Sequence, residues 1–593
     1  MPSHHIPLRR LLALAGAGAA LAAGPSAARA EITPSLRDAL AAAAPGERLP
    51  VVVTLDAQVD ARRYAGSPDE LLRALRRTAG RSQPDVIAAA DAPVRRFWLV
   101  NALALRASGA EVRALERQDG VATVSLDAPV RTAGALPASF PTPGPVWGVP
   151  AVGAPTAWAR GLTGTGVRIG SIDTGVDAAH PELAGKVVAW HDFVNGRPQP
   201  YDDNGHGTHT IGTMVGGAAR GTPIGVAPGA TVVVAKAMDA SGMGRASAIL
   251  AAAQWMADPD GDPATADQPQ VVNDSWGTST PNDPWFRPMV RQWLALGIVP
   301  VFAAGNAGPG PSTIGSPADY PETLAVGASE RSGAVAPFSA RGPVVWSDPD
   351  GLGPAAGTPL TKPDLVAPGE DVVSSVPGGG YLGYSGTSMA APHVAGAVAL
   401  VRQAAPAMAP TAVMDLLRRT AADRGAPGPD PAYGAGLLDI PAALAAAGAP
   451  ALTPPAAPGA AERPAFRRRP GPSLAEMRAN RRIAVAAVRR VQTLERRLAP
   501  ASTRRAVRWR APRPPRLRAA DMLLTRRLAH LALVRAQVLA ARRGVAPRLT
   551  PAPRVRVSPP VRLTAGAQRS TQRYARAAVR RALQLQSAVR ASR

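Results

Sequence analysis

The sequence predicts an α/β fold. A mostly parallel sheet with helices on both faces is preceded by a small α+β domain and followed by a basic, helical or disordered tail. Three observations predict this. Residues 147–445 alternate short apolar runs with helical stretches, the pattern of a sheet covered on both sides. Residues 49–127 carry strand and helix signals of their own, and after Pro450 the composition turns to Ala, Arg and Pro. Of 593 residues 46% are hydrophobic, so a sizeable core is affordable and a wholly disordered chain is excluded. The chain has no cysteine, which excludes disulfides, thiolate catalysis and cysteine-ligated zinc or iron–sulfur sites.

At the N-terminus, Arg9 and Arg10 precede an apolar run from Leu11 to Ala23, which ends before Gly24-Pro25 and Ala28-Arg29-Ala30. A basic region, a short apolar region and an A-x-A site make residues 1–30 a Sec-type signal peptide, with cleavage expected before Glu31. The run is too short for a bilayer core that needs about 20 residues. No other stretch is long and apolar enough to span, so a secreted, extracellular product is expected.

Residues 31–131 form the first expected domain. Leu49–Asp56 is a β-branched run, and Ser67-Pro68-Asp69-Glu70 is a capping box with Pro at the first helical position. Phe97–Val100 and Ala102–Leu105 read as paired strands about Asn101. Glu111–Gln118 reads as a helix and Val121–Leu126 as a closing strand. Residues 132–146, rich in Pro, Ala and Gly, read as a linker.

In 147–445 the runs Val167–Asp173, Thr231–Met238, Val271–Ser275, Ile298–Ala304 and Thr323–Ala328 predict buried strands. Helices are expected near 206–216, 246–257, 284–296 and 388–404. The last segment, 446–593, is a basic C-terminal extension. Residues 451–593 hold 34 Arg, no Lys and 4 acidic residues, so the net +25 of the chain resides there and the rest is slightly acidic. Three stretches within it keep helical spacing, the clearest opening at the capping box Ser473-x-x-Glu476.

Three motifs carry chemistry. Val167–Gly175 delivers Asp173 at the C-terminal end of a strand, where open α/β sheets bind ligands. Asp202-Asp203-Asn204-Gly205-His206-Gly207-Thr208-His209 places His206 at the start of a helix. Tyr384–His393 places Ser388 at the head of a long small-residue helix. Acyl transfer needs these parts: a hydroxyl, a neutral imidazole to take its proton, and a carboxylate to orient the imidazole. A helix N-terminus adds amide dipoles for the developing oxyanion.

Singly, each residue has a plain structural reading: a strand cap, a core histidine, a helix N-cap. The order Asp, His, Ser with these blocks is far more specific. On these motifs, and on Val272-Asn273-Asp274-Ser275-Trp276-Gly277 and Pro300–Gly308, residues 147–445 resemble the subtilase family of serine endopeptidases, nearest its bacillopeptidase F-like branch. The resemblance implies a subtilisin-like peptidase domain with Asp173, His206 and Ser388 as catalytic residues and Asn306 as oxyanion donor. It implies a substrate-binding strip of Ser275, Trp276, Gly277, Ala303, Ala304 and Gly305. Residues 31–131 resemble the family's inhibitory propeptide, so a zymogen acting on proteins or peptides is expected, with its own propeptide as a partner. The Tyr320-Pro321 bond is expected to be cis.

No cofactor is required for the chemistry. Subtilases often bind structural calcium, and Asp258-x-Asp260-x-Asp262 alternates carboxylates as a calcium loop does, without the bidentate Glu; a solvated turn is the plainer reading. Asp202 and Asp203 read as loop carboxylates acting electrostatically on His206, and His180, His209 and His393 as structural. A rival function is a catalytically silent surface protein that binds anionic envelope polymers or other polyanions through its tail. The two readings separate experimentally. Truncation after Pro450 should leave peptide hydrolysis intact while lowering the salt concentration at which the protein elutes from heparin resin. Equal elution of the two forms would remove the tail as a binding element.

Overall fold

A computed structural model describes residues 29–448 except 65, 91, 134–135, 138–145, 220, 279, 348–350 and 352. The signal-peptide run and the basic extension lie outside the described residues. No helix among the described residues is long and apolar enough to cross a membrane. The chain divides into two compact units, one of residues up to 59 with 75–127, the other of 60–74 with residues from 128 onward.

The first unit is built on a five-stranded sheet in the order β1-β5-β2-β4-β3, from β1 (Glu31–Ile32), β2 (Arg48–Leu55), β3 (Arg95–Phe97), β4 (Ala102–Ser108) and β5 (Val121–Leu126). Around it run α1 (Pro34–Ala42), the later part of α2 (Pro68–Ala88) and α3 (Gly109–Leu115). Val51, Val53, Leu103, Leu105 and Val124 bury one face against Leu36, Val86 and Val112. β3 and β4 pair across the turn that holds Asn101, but the first strand is Arg95–Phe97, and Trp98–Val100, expected as strand, belong to the turn. Asn101 takes a left-handed φ of 40°, and its side chain ties the turn down, donating to Ala57 O at 2.7 Å and Ser82 Oγ at 2.8 Å. α3 begins two residues earlier than the sequence suggests because Ser108 and Glu111 form a reciprocal capping box. β1 and α1 carry no strong pattern and are additions to the expected domain.

The second unit holds a seven-stranded, wholly parallel sheet in the order β18-β15-β14-β12-β8-β10-β9. Before it come β6 (Pro129–Thr132), β7 (Leu136–Pro137), α4 (Gly148–Ala151) and α5 (Ala154–Trp158). The segment expected to be a patternless linker therefore starts in strand. The sheet strands are β8 (Arg168–Asp173), β9 (Val187–Asp192), β10 (Thr231–Lys236), β12 (Val271–Asp274), β14 (Val299–Ala303), β15 (Leu324–Ser329) and β18 (Leu365–Pro368). Five of them fall on the predicted apolar runs, which read as continuous because helices cover both faces.

The helices are α6 (His206–Val215), α7 (Ala246–Ala257), α8 (Arg287–Ala295), α9 (Thr387–Ala404), α10 (Pro410–Thr420) and α11 (Ile440–Ala446). α9, built of Ala, Gly and Val, lies against β12, β14, β15 and β18 and packs on α6. Smaller pairings complete the unit. β6 lies between β11 (Met243–Arg245) and β13 (Trp276–Gly277). β16 (Val344–Trp346) pairs with β17 (Thr358–Leu360), and the hairpin of β19 (Val372–Val376) and β20 (Gly380–Ser385) carries β7 on its edge.

One backbone expectation is corrected. Tyr320-Pro321 is not cis; among the described residues the cis bonds are Gly308-Pro309, Ser316-Pro317, Gly342-Pro343 and Lys362-Pro363. Tyr320 sits in a hydrogen-bonded turn, with its amide on Pro317 O at 3.2 Å. Sequence does not mark which X–Pro bond is cis, since the intrinsic bias is below about 1 kcal/mol.

Candidate active site

Asp173 ends β8, in register with Lys236 of β10. His206 opens α6, whose N-cap Gly205 has φ 103°. The two side chains meet: His206 Nδ1 lies 2.8 Å from Asp173 Oδ1 and 3.0 Å from Oδ2, with both residues buried. Glycines make this approach sterically feasible. A Cβ on Gly207 would overlap the carbonyl oxygen of Gly175, and one on Gly175, at φ 115°, would overlap that of Tyr201. The Asp173 carboxylate also accepts from Thr174 N at 2.7 Å and Thr210 Oγ1 at 3.3 Å.

A carboxylate only accepts, so Nδ1 of His206 carries the ring proton and Nε2 of the neutral ring is a free base. Nε2 is buried and has no hydrogen-bond partner. Burial pushes the imidazole pKa down. The charge and hydrogen bond of Asp173, with the charge of Asp202, outweigh that and raise it above the usual value.

Sequence reading missed how the His206 loop is held. Asp202 Oδ1 accepts from Thr174 Oγ1 (3.0 Å), Asn204 N (3.0 Å) and Gly205 N (2.7 Å), and Oδ2 accepts from Thr208 N (2.9 Å) and Thr208 Oγ1 (2.6 Å). Thr174 Oγ1 in turn accepts from Gly207 N at 2.9 Å. The electrostatic action expected of Asp202 is present, but its carboxylate also ties the Asp173 strand to the His206 helix. Lys236, fully buried, uses its three donors on Thr174 O, Met238 O and Asp203 Oδ1.

Ser388 is the second residue of α9 and is buried. Its Oγ donates to Ser275 O at 3.2 Å; no hydrogen bond joins it to His206 Nε2. Ser275 Oγ donates to Ser388 O at 3.1 Å. Pro392 lacks the N–H that would normally reach the Ser388 carbonyl one helical turn back, and Ser275 supplies the missing donor.

Asn306 follows β14 and Gly305, which has φ 102°. Its Oδ1 accepts from Thr387 N at 2.9 Å and Thr387 Oγ1 at 3.0 Å, which aims Nδ2 the other way, onto the carbonyl oxygen of Ala133. Thr387 was not singled out from sequence; its position beside Ser388 is the available signal.

The expected substrate strip divides. Ser275, Trp276 and Gly277 offer main chain: Ala133 N donates to Ser275 O at 3.0 Å, and Trp276 and Gly277 pair with Thr132 and Arg131. The Trp276 ring turns into the core, its Nε1 donating to Asp274 Oδ1 at 2.9 Å, against Phe286 and Phe302. Burial holds the Asp274 carboxyl well above the usual range, opposed by the Trp276 hydrogen bond and reinforced by Asp173. Ala303 and Ala304 are buried, and Gly305 N bonds Thr387 Oγ1 at 3.0 Å.

The acidic loop also differs from expectation. Asp258, Asp260 and Asp267, not Asp262, bring carboxylate oxygens within 4.8 Å of one another. Asp262 instead accepts from Ala264 N at 2.9 Å in its own turn. The oxygen-only set suits a hard cation in type, and it stands apart from the residues above.

His209 and His393 are structural as expected. Burial depresses them to about 3 and about 4, against opposing backbone hydrogen bonds. Both stay neutral while an unfolded chain binds protons below about pH 6.5, so their contribution to stability is full above that pH and is lost as pH falls toward those values. The urea midpoint of Ser388→Ala protein should therefore drop between pH 7 and pH 4.5. His393→Asn, whose Nδ2 stands where the ring Nδ1 meets Met389 O, should flatten that slope; an unchanged slope would contradict the assignment.

Comparison with known proteins agrees with the motifs. Residues 164–436 match the model of the subtilase family, peptidase S8. Bacillopeptidase F of Bacillus subtilis is 36% identical over 420 residues, 63% of this chain but only 28% of that protein's length. An alkaline protease of Shouchella clausii is 35% identical over 350 residues, 59% of this chain and 81% of the relative. Subtilisin E of Bacillus subtilis is 35% identical over 363 residues, 60% and 85% of the two chains. With this coverage and a seven-stranded parallel sheet of the expected kind, the chain belongs to the subtilase family and is a serine-type endopeptidase.

Proposed function

We propose that this protein is a secreted serine endopeptidase made as a zymogen, in which Asp173, His206 and Ser388 form the triad and Asn306 stabilises the oxyanion. The observation that carries the reading is the buried Asp173–His206 pair, whose remaining ring nitrogen is an unpartnered base. Ser388 Oγ leaves the Ser275 carbonyl by rotation about χ1, gives its proton to His206 Nε2 and attacks the scissile carbonyl. His206 returns the proton to the leaving amine, and water hydrolyses the acyl-enzyme by the same route. Catalytic hydrogen bonds that tighten only with substrate are common, so the present Ser388 rotamer does not oppose this.

Secretion rests on the A-x-A signal, and the propeptide role of residues 31–131 on the separate sheet and core that β1 to β5 form, although β6 at its end pairs within the second unit. The domain limits read from sequence are proposed with it. The chemistry needs no cofactor. A structural calcium, if the protein binds one, would find oxygen ligands at Asp258, Asp260 and Asp267.

Ser388→Ala should lower kcat by about 10⁶, and removing the Asn306 amide by about 10²–10³, magnitudes that come from subtilisin itself. A fluorophosphonate should label the wild type and not Ser388→Ala; normal casein hydrolysis by that variant would sink the mechanism. Because His206 must be neutral, kcat/KM should rise with pH through a midpoint above the ~6.5 of free imidazole. Asp202→Asn removes one nearby negative charge and should move the midpoint down. An unmoved midpoint would detach Asp202 from the imidazole.

A further inference from the structure

The first turn of α9 carries Ser388, and the carbonyl of that residue is served from outside the helix. Pro392 has no N–H to offer it, and Ser275 Oγ donates to Ser388 O at 3.1 Å. A hydroxyl has a single hydrogen, so the group on the other side of Ser275 Oγ decides whether that hydrogen stays on Ser388 O. That group is Asn273. It lies in β12 opposite Ser171 of β8. A Cβ on Gly170 would meet Val272 and Met256 of α7. Ser171 and Asn273, the next residue of each strand, therefore point to the opposite face, where α9 lies. Asn273 is fully buried, and its Nδ2 donates to Ser275 Oγ at 3.0 Å. Its Oδ1 and the buried Ser171 Oγ have no hydrogen-bond partner.

We propose that Asn273 is a positioning residue for the peptidase reaction, acting through the Ser275 hydroxyl to hold the first turn of α9, and Ser388 with it. The proposal rests on Ser388 being the nucleophile. The side-chain amide works by its polarity. With Nδ2 on Ser275 Oγ, the Ser275 hydrogen is left for Ser388 O. With the amide reversed, Oδ1 would compete for that hydrogen. The Ser388 carbonyl, which the helix does not serve from position 392, would then lose its donor, a costly state for a buried group. Ser388 Oγ is placed against the same residue, since it donates to Ser275 O at 3.2 Å. Two hydrogen bonds thus run between these residues in opposite directions, and Asn273 fixes the sense of one of them. The Ser388 carbonyl and side chain share one Cα, so a carbonyl that turns away carries Oγ with it. Misplacing a reacting group by about 1 Å costs up to roughly 10² in rate.

The test is a double-mutant cycle in the full chain, read by kcat, KM and the rate of fluorophosphonate labelling. Asn273→Leu removes the donor at nearly constant size. It should lower kcat and the labelling rate about tenfold, while KM for a peptide substrate changes by less than about twofold. Pro392→Ala gives the helix back the N–H that reaches Ser388 O. In the Pro392→Ala background, Asn273→Leu should cost about twofold or less, because the carbonyl no longer depends on Ser275. A residue that only fills space costs the same in both backgrounds. Equal losses in the two backgrounds therefore overturn the proposal, as does an undiminished kcat in Asn273→Leu. Should Asn273→Leu fail to fold, Asn273→Ala carries the same cycle with the same outcomes. A wild type that is labelled on Ser388 and shows equal losses overturns the proposal and leaves the triad standing. A wild type that takes no label on Ser388 overturns the triad, and the proposal with it.

Discussion

The closeness of two backbones governs the site. The first turn of α6 rests on the segment just past β8 because Gly207 and Gly175 present no side chains there. Everything in the Asp173–His206 pair follows from that contact. With a Cβ at either position the helix would have to withdraw, and a hydrogen bond of 2.8 Å tolerates little withdrawal. The parallel sheet supplies one partner, since Asp173 is simply the last residue of a central strand. The helix start supplies the other. The glycines set the distance between them.

A contact this close needs a frame, and the frame is polar, built on a half-buried Asp202 and a fully buried Lys236. Asp202 fills both carboxylate oxygens with five donors, three of them main-chain amides of the His206 segment. Lys236 gathers the carbonyls that follow β8 and β10. A buried charge such as Lys236 is costly when unpaired and rigid when fully paired. Here each ionic group has its partners, so the cost of burial is offset and the freedom of the loop is removed. On the other side of the site Thr387 does similar work, holding Asn306 by its oxygen so that only the amide nitrogen faces the Ala133 carbonyl.

Which parts could be read in advance follows from the same physics. β8, β10, β12, β14 and β15 announce themselves because both faces are buried and each is a short run of apolar and small residues, with polar residues mainly at its ends. β9 lies at the sheet edge and is half exposed, β18 is four residues ending in Pro, and the β19–β20 hairpin is rich in Ser and Gly. None of these carries a strong period. Asp173, His206, Ser388 and Asn306 are legible because glycines and small residues mark their turns and their order is distinctive. Thr174, Thr387, Asp202 and Lys236 act through neighbours remote in sequence, up to 81 residues for Thr387 and Asn306. Trp276 shows the limit most plainly. Its position in the strip was readable, but its ring faces the core because Asp274, two residues before it, offers a buried acceptor for its N–H.

Pro392 explains why the serine and the substrate strip cannot move independently. A helix interior normally closes every carbonyl with the amide four residues on, and a proline there leaves one carbonyl open. In α9 the open carbonyl belongs to Ser388, and the donor that closes it is the hydroxyl of Ser275, whose own carbonyl accepts both Ser388 Oγ and Ala133 N. Ser275 Oγ is itself held by Asn273 Nδ2 at 3.0 Å. One residue thus ties the head of α9 to the segment that pairs with β6 and that the proposed function assigns to the substrate main chain. A peptide strand docked on Ser275 is thereby placed at a fixed height against Ser388, whatever side chains it carries. On the proposed function, main-chain hydrogen bonds to Ser275 would set how deep a substrate strand lies against Ser388, and side chains would add selectivity to that register.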